Sequence, residues 1–336
     1  MVVVFVAASA CTPVLTAGSL GAQSTGGTCT SSPALFGNGT DICQKARDLF
    51  AFVVPQVGVA VSGGNPLPGD AGSLGGFGKR AISVRIIGVD GRLPRNAVPL
   101  VTQSGSTTSS DFGASRTLVP LPAVDVALGV FSGVPLGVTN VGGVDVLLGA
   151  TLLPSVSRNE FRVEAKNGGL GLSYGLRVGA LQESSVVPGV SVSWQRRQLP
   201  ESDFSYTPSN DSLLVTGTSV RSDALRLVVS KRVALFGLAA GVGQDRIHGS
   251  ANASAVINES NGLNSIRQTI SLTGIREQTT RNTAFLNASF SLLVLRVVGE
   301  FGWSSAGTLR ETVNTFGSRR ANEGYRYGSI GLTAHF

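Results

Sequence analysis

The chain has 336 residues, of which 14% are charged and 44 are glycine, with a mean hydropathy of +0.23 and a formal charge of +7. Typical soluble domains carry roughly 25% charged residues, yet no stretch after the N-terminus has the roughly 18 unbroken apolar residues of a membrane helix. The basic residues are scattered, with no Lys/Arg run longer than two, so the electrostatic footprint of a nucleic-acid binder is missing, and what remains is a chain of membrane strands or a Gly-rich soluble β-sandwich.

Residues 1–22 read as a secretory signal: Val2–Ala10 is apolar, small residues run through Ala17–Ala22, and cleavage is expected after Ala22. A positively charged leader is absent, which points to a start upstream of Met1. Ala8-Ser9-Ala10-Cys11 resembles a lipoprotein cleavage box with Ala8 in place of Leu, so lipidation of Cys11 is the alternative. Residues 23–78 form an N-terminal periplasmic or plug segment. Its two cysteines, Cys29 and Cys43, are expected to pair in an exported protein, the alternative being two free buried thiols. Closing that loop would remove roughly 3 kcal/mol of denatured-state entropy. Asp41 is placed to N-cap a short helix on which Ile42, Ala46, Leu49, Phe50 and Val53 recur at helical spacing, with Pro55 as its limit. Val61–Gly78 is rich in Gly and Pro and reads as an irregular connection.

From Lys79 to Phe336 the period is two, with apolar and polar residues on alternate faces. Ile82, Val84 and Ile86 oppose Ser83 and Arg85. The same alternation starts at Val124, Val144, Leu170, Val190, Leu225, Leu286 and Val297, and runs less cleanly through 233–243. The closing stretch sets Ile330, Leu332, Ala334 and Phe336 against Tyr327, Ser329, Thr333 and His335, and makes ten strands. Residues 209–217 and 264–276 are also strand-like; they extend hairpins above a membrane or raise the count to 12 or 14.

The pattern of Ser329, Gly331, Ala334 and Phe336 at the end of the chain resembles the C-terminal assembly signal of bacterial outer-membrane β-barrels, with Ala334 smaller than usual. That resemblance implies recognition by the barrel-assembly machinery. Counting back from Phe336, connections alternate between long and short, as outer loops and periplasmic turns do. Long outer segments fall at 90–121, 155–169, 200–222, 246–282 and 307–324. Short turns fall at 133–142, 182–188, 231–232 and 294–296. The expected fold is therefore all-β: an antiparallel transmembrane barrel of ten strands (range ten to fourteen) in the bacterial outer membrane, preceded by a short helical plug or periplasmic segment. Its expected partners are outer-membrane lipid and, through Arg at strand ends and in loops, lipopolysaccharide phosphates.

The whole exported chain also resembles barrels of the long-chain fatty-acid transporter type. The resemblance lies in the plug-like segment before the first strand, the G-G-N-P-L-P-G stretch at Gly63–Gly69, and the closing strand. It implies fourteen strands, a hatch role for Asn65, and a hydrophobic small-molecule ligand.

On chemistry the residues say less. By face, Arg85, Asp125, Asp145, Arg177, Arg226 and Glu300 point into the lumen, either as a space-filling salt-bridge network or as a polar pathway. Ten strands enclose a narrow lumen that side chains largely fill. His248 and Ser250 have the spacing of the His-x-Ser pair of outer-membrane phospholipase A, with Asn252 or Asn264 available to orient the ring. Asp245 with His248 raises a rim protease of the omptin type, without the expected Asp-x-His spacing. The plainer reading of His248 is a histidine in a polar loop, and no catalytic residue is expected. Two histidines and two paired cysteines leave no metal cluster, and no cofactor motif is present. Passage of small hydrophobic solutes is the leading expectation. A structural or surface-interaction barrel, using loops such as Thr102–Ser115, is the alternative, and a hydrolase at His248/Ser250 comes third.

Overall fold

The computed structural model describes residues 27–32, 38–94, 111–158, 161–207, 212–260, 265–309 and 312–336. The signal segment with Cys11, residues 102–110 of the first outer loop, and Asn264 lie outside the described residues. Ten strands form the wall: β1 (Arg80–Pro94), β2 (Ala114–Phe131), β3 (Gly143–Leu152), β4 (Leu170–Leu181), β5 (Gly189–Gln198), β6 (Ser212–Val233), β7 (Phe236–Ser260), β8 (Ser265–Leu292), β9 (Leu295–Ser304) and β10 (Tyr325–His335). Each pairs antiparallel with the next, and β10 returns to β1. The ring is sealed at its short-turn end, where Arg80 N–H donates to Phe336 O (3.1 Å) and Phe336 N–H to Arg80 O (2.9 Å). Closure leaves the ring of ten wall strands without an open edge in the belt, which a wall in lipid requires.

The two faces follow from the period of two. On β4, Leu170, Leu172, Tyr174, Leu176 and Val178 face outward while Gly171, Ser173, Gly175, Arg177 and Gly179 are buried. Leu172 is 66% exposed, Ile330 65% and Phe301 53%. A continuous outward band of such residues is not a water-soluble surface; it is the lipid-facing belt of a transmembrane barrel. β5 and β9, at ten residues each, match the length of a tilted spanning strand.

At the outer end the reading needs correction. Much of the expected 246–282 excursion is paired strand: β7 and β8 run for 25 and 28 residues, and the described parts of 209–217 and 264–276 prolong β6 and β8 rather than add wall strands. Inward-facing Ala251, Ala253, Ala255, Ile257, Ile270 and Leu272 give this extension a buried apolar face. The short turns also shift, to Ala234–Leu235 and Leu293–Val294.

What covers that apolar face is α1 (Asn38–Ser62), a helix of 25 residues. It starts ahead of Asp41 and continues past Pro55, contrary to the sequence expectation. A proline in a helix interior costs roughly 3 kcal/mol, whereas each large apolar side chain buried returns about 1.5–3 kcal/mol. α1 is buried on more than one side. Ile42, Ala46, Phe50 and Val54 pack with Ile247, Ala251 and Leu272, while Ala51 and Phe52 pack with Phe112, Leu309 and Phe316. The Phe52 and Phe316 rings stack at 4.6 Å. Before α1, the short strand Thr28–Ser32 lies on β8 at Thr269–Thr273, and Cys29 is bonded to Cys43 in the helix. The chain therefore enters the lumen from the long-loop end and leaves it at the short-turn end, where β1 begins.

Candidate functional site: the plugged lumen

α1 ends where Ser62 meets Gly63. Gly63 takes a positive φ of 58° and its N–H donates to Val59 O (3.1 Å), the left-handed cap for which glycine is suited. The next sixteen residues, 63–78, carry no regular structure, so their backbone polar groups need partners. The wall supplies them. Gly64 N–H and Asn65 N–H donate to the Glu300 carboxylate (3.1 and 2.8 Å), and Leu74 N–H donates to Asp145 (3.1 and 3.2 Å). Arg85 Nη1 donates to Asn65 O (2.9 Å). Arg226 donates through Nη2 to Gly63 O (2.9 Å) and through Nε to Gly64 O (3.2 Å). Ser62 and Ser222 share a short hydroxyl–hydroxyl hydrogen bond. Asn65, the expected hatch residue, donates through Nδ2 to Asn287 (3.1 Å) and to Asp70 O (2.9 Å); Asn287 in turn donates to Glu300 (2.8 Å).

The charges pair within the wall as well. Asp125 on β2 lies 3.0 Å from Arg85 on β1 and 2.8 Å from Arg197 on β5, so one carboxylate links strands on two sides of the lumen. Arg177 pairs with Asp145 (2.9 Å) and Arg226 with Asp245 (2.7 Å). Arg85, Asp125, Asp145, Arg177, Arg226 and Glu300 are all buried. Arg197, Asp245 and Arg296 belong to the same interior; the polar face of β5, followed two residues past Gln195, would have found Arg197.

Asp245 and His248 are not brought together, whereas His248 and Ser250 share the outward face. Asp245 points into the lumen, while His248, three positions on, faces outward across the wall; odd spacing in a strand puts two side chains on opposite faces. Ser250 also faces outward, and Asn252 accepts a hydrogen bond from Gly274 N–H (2.8 Å) instead of orienting the ring. Burial, and after it the Arg221 guanidinium, pushes the His248 imidazole below its usual range. In the closing strand Ser329 and Gly331 turn inward and Ala334 and Phe336 outward. Arg80 stands 5.6 Å over the Phe336 ring.

One acid above the membrane belt is only weakly compensated, by the Gln278 backbone. Glu277 on β8 is buried, its Oε1 has no hydrogen-bond partner, and opposite Gly249 lies under Val54 and Phe50 of α1. A Cβ on Gly249 would come within 2.7 Å of Val54, so the helix sits tight against the wall here. Burial pushes the Glu277 carboxyl up to about 7. A carboxyl raised on folding binds more protons in the native state, so stability falls as pH rises from about 4.5 to about 7 and is level above. Glu277→Gln is therefore expected to raise the unfolding midpoint more at pH 8 than at pH 5. An equal gain at both pH values would show that the buried charge is not the cause.

No protein-family model matches the sequence, and no curated protein matches it. Among solved structures, the chain is similar to the translocator domain of the autotransporter NalP from Neisseria meningitidis (11% identity, 78% of this chain and 89% of that chain, TM-score 0.35). It is similar to the outer-membrane protease OmpT from Escherichia coli (12% identity, 77% and 96%, TM-score 0.37). It is also similar to a Pseudomonas aeruginosa FadL homologue (7% identity, 77% and 90%, TM-score 0.23). At such scores the likeness bears on neither strand number nor activity. From its closed ring, its outward apolar belt and its occupied lumen, the chain is a ten-stranded transmembrane β-barrel of the outer-membrane type, plugged by its own N-terminal segment.

Proposed function

We propose that this protein is an outer-membrane barrel closed to free diffusion at rest, whose outer end serves as a structural or interaction surface. The observation that carries this reading is the fit between plug and wall: the Glu300 carboxylate holds two consecutive plug amides and Arg226 holds two plug carbonyls. A segment bonded on both its donors and its acceptors is fixed against the wall and fills part of the lumen. The paired strands above the belt, packed on α1, provide a rigid outer platform. No catalytic role is assigned to His248 or Ser250, and no cofactor. The closing strand, with Ser329, Gly331, Ala334 and Phe336, supports insertion by the barrel-assembly machinery.

Passage of small hydrophobic solutes is the second reading. It is favoured by the plug being docked below the helix largely through backbone groups of a Gly-rich segment, which can be released without unfolding the wall. Planar-bilayer recording separates the two. The purified wild-type barrel is expected to insert and remain electrically silent. Discrete, steady conductance steps from the wild type would favour passage and remove the closed-barrel reading.

A further inference from the structure

Two arginine clusters stand outside the wall, at the outer edge of the apolar belt. In the first, the register sets Arg196 on β5, Asp223 on β6 and Arg246 on β7 in one row, with Arg221 and His248 in a row beside it. Arg276 lies across from Ser250. Arg196 Nε donates to Asp223 (2.6 Å), and Arg221 Nε lies 3.7 Å from the same carboxylate. Two guanidinium groups thus share one acid, and Arg246 and Arg276 stand beside them in the register. A cleft of about 380 Å³ opens among Arg221, His248, Ser250, Arg276 and Gln278, with the buried Glu277 carboxyl at its floor.

The second cluster has the same plan. Arg92 on β1, Arg116 on β2, Arg326 on β10 and Arg319 in the connection before β10 line a cleft of about 440 Å³ around Asp90. Arg116 grips Asp90 with two hydrogen bonds (2.5 and 2.7 Å). The guanidinium groups beside Asp90, that of Arg116 first, hold its carboxyl below the usual range. Glu323 neutralises Arg319 (3.1 Å), and Arg92 donates to Gly317 O (3.2 Å).

The chain has two tryptophans, and each sits at one cluster. Trp194 lies below Arg196, whose guanidinium is 5.7 Å from its ring; Trp303 pairs across the sheet with Arg326. Tryptophan settles at the boundary between hydrocarbon and headgroups, so both clusters lie at headgroup height in the leaflet on the long-loop side. Directly below them runs the apolar belt. A ligand that fits both parts carries phosphate for the guanidinium forks and acyl chains for the belt.

We propose that the two outward clusters bind the phosphate groups of a phosphorylated glycolipid of the outer leaflet. This rests on the outer-membrane placement proposed above. The folded barrel in non-ionic detergent is titrated with diphosphorylated lipid A, with the same lipid after removal of its phosphates, and with inorganic phosphate. Tryptophan fluorescence is the readout, and Trp194→Phe and Trp303→Phe isolate one site each. Saturable binding of lipid A is expected, about tenfold or more tighter than that of the dephosphorylated lipid, with no saturable response to inorganic phosphate. Replacing Arg196, Arg221, Arg246 and Arg276 with glutamine should abolish the Trp194 response and leave that of Trp303. The wall is untouched by these outward changes, and the retained Trp303 response verifies folding. Equal affinity for the dephosphorylated lipid, or an unchanged Trp194 response in the quadruple variant, would overturn the proposal. A barrel that inserts into phosphatidylcholine vesicles but ignores lipid A fails here alone; one that enters no bilayer fails the membrane placement itself.

Discussion

Replacing Asp125 with alanine is expected to destabilise the barrel by about 3–5 kcal/mol, the cost of removing one partner from a buried ion pair. The effect is large because two cations depend on this carboxylate. Arg85 and Arg197 are each 1% exposed, and Asp125 is 3% exposed. Asp125 lies 3.0 and 2.8 Å from them. Removing it leaves two guanidinium groups facing each other in a lumen where Asp145 and Asp245 are already engaged by Arg177 and Arg226, and Glu300 by the plug amides and Asn287. The measurement is denaturant unfolding of the barrel in vesicles. A second change, Arg197→Met beside Asp125→Ala, should recover part of the loss, since one orphaned charge is gone. A loss below about 1 kcal/mol for Asp125→Ala would mean that the triad is hydrated and contributes like a surface pair.

Glu300→Ala acts on the plug rather than the wall. Its carboxylate accepts from Gly64 N–H, Asn65 N–H and Asn287 Nδ2. Truncation leaves two plug amides and one wall amide buried and unbonded, at about 1–3 kcal/mol each. The Arg226 and Asp145 contacts remain, so the plug is expected to loosen without leaving. Two outcomes follow. Intermittent conductance should appear in bilayers where the wild type is silent, because an opening free energy lowered by about 3 kcal/mol raises the open population more than a hundredfold. Proteolysis within residues 63–78 should accelerate, while the unfolding midpoint of the wall moves little. Unchanged silence together with unchanged proteolysis would show that Glu300 does not hold the plug.

The wall was legible in the sequence and the plug was not, for physical reasons. A strand in lipid has one face dictated by hydrocarbon, so the alternation of Leu170, Leu172, Tyr174, Leu176 and Val178 against Ser173, Gly175 and Arg177 fixes both strand and facing without any tertiary knowledge. The same parity sends the six charged residues inward. Their partners are another matter. Arg197 is 72 residues from Asp125 in sequence, and Glu300 is 236 from Gly64; only the closed ring brings them together. Local preference ends the helix at Pro55, whereas packing against Ile247 and Phe316 carries it on. The turns at Ala234 and Leu293 take positive φ (53° and 52°) without glycine, so the Asn-Gly marker of a tight hairpin is missing. The outer extension of β7 and β8 reads as loop in the sequence because its inward alanines give a weaker alternation than the leucines and valines of the belt.

Closure of the lumen depends on the N-terminal segment lying inside the ring. Ser62 at the end of α1 and Ser222 on β6 are in hydrogen-bond contact across that boundary. The double variant Ser62→Cys/Ser222→Cys, purified from its native membrane under oxidising conditions, should therefore carry a second disulfide beside Cys29–Cys43, identified by mass spectrometry of the linked peptides. Two free thiols at positions 62 and 222, in a protein whose Cys29–Cys43 bond is intact, would place the segment outside the lumen and contradict the account.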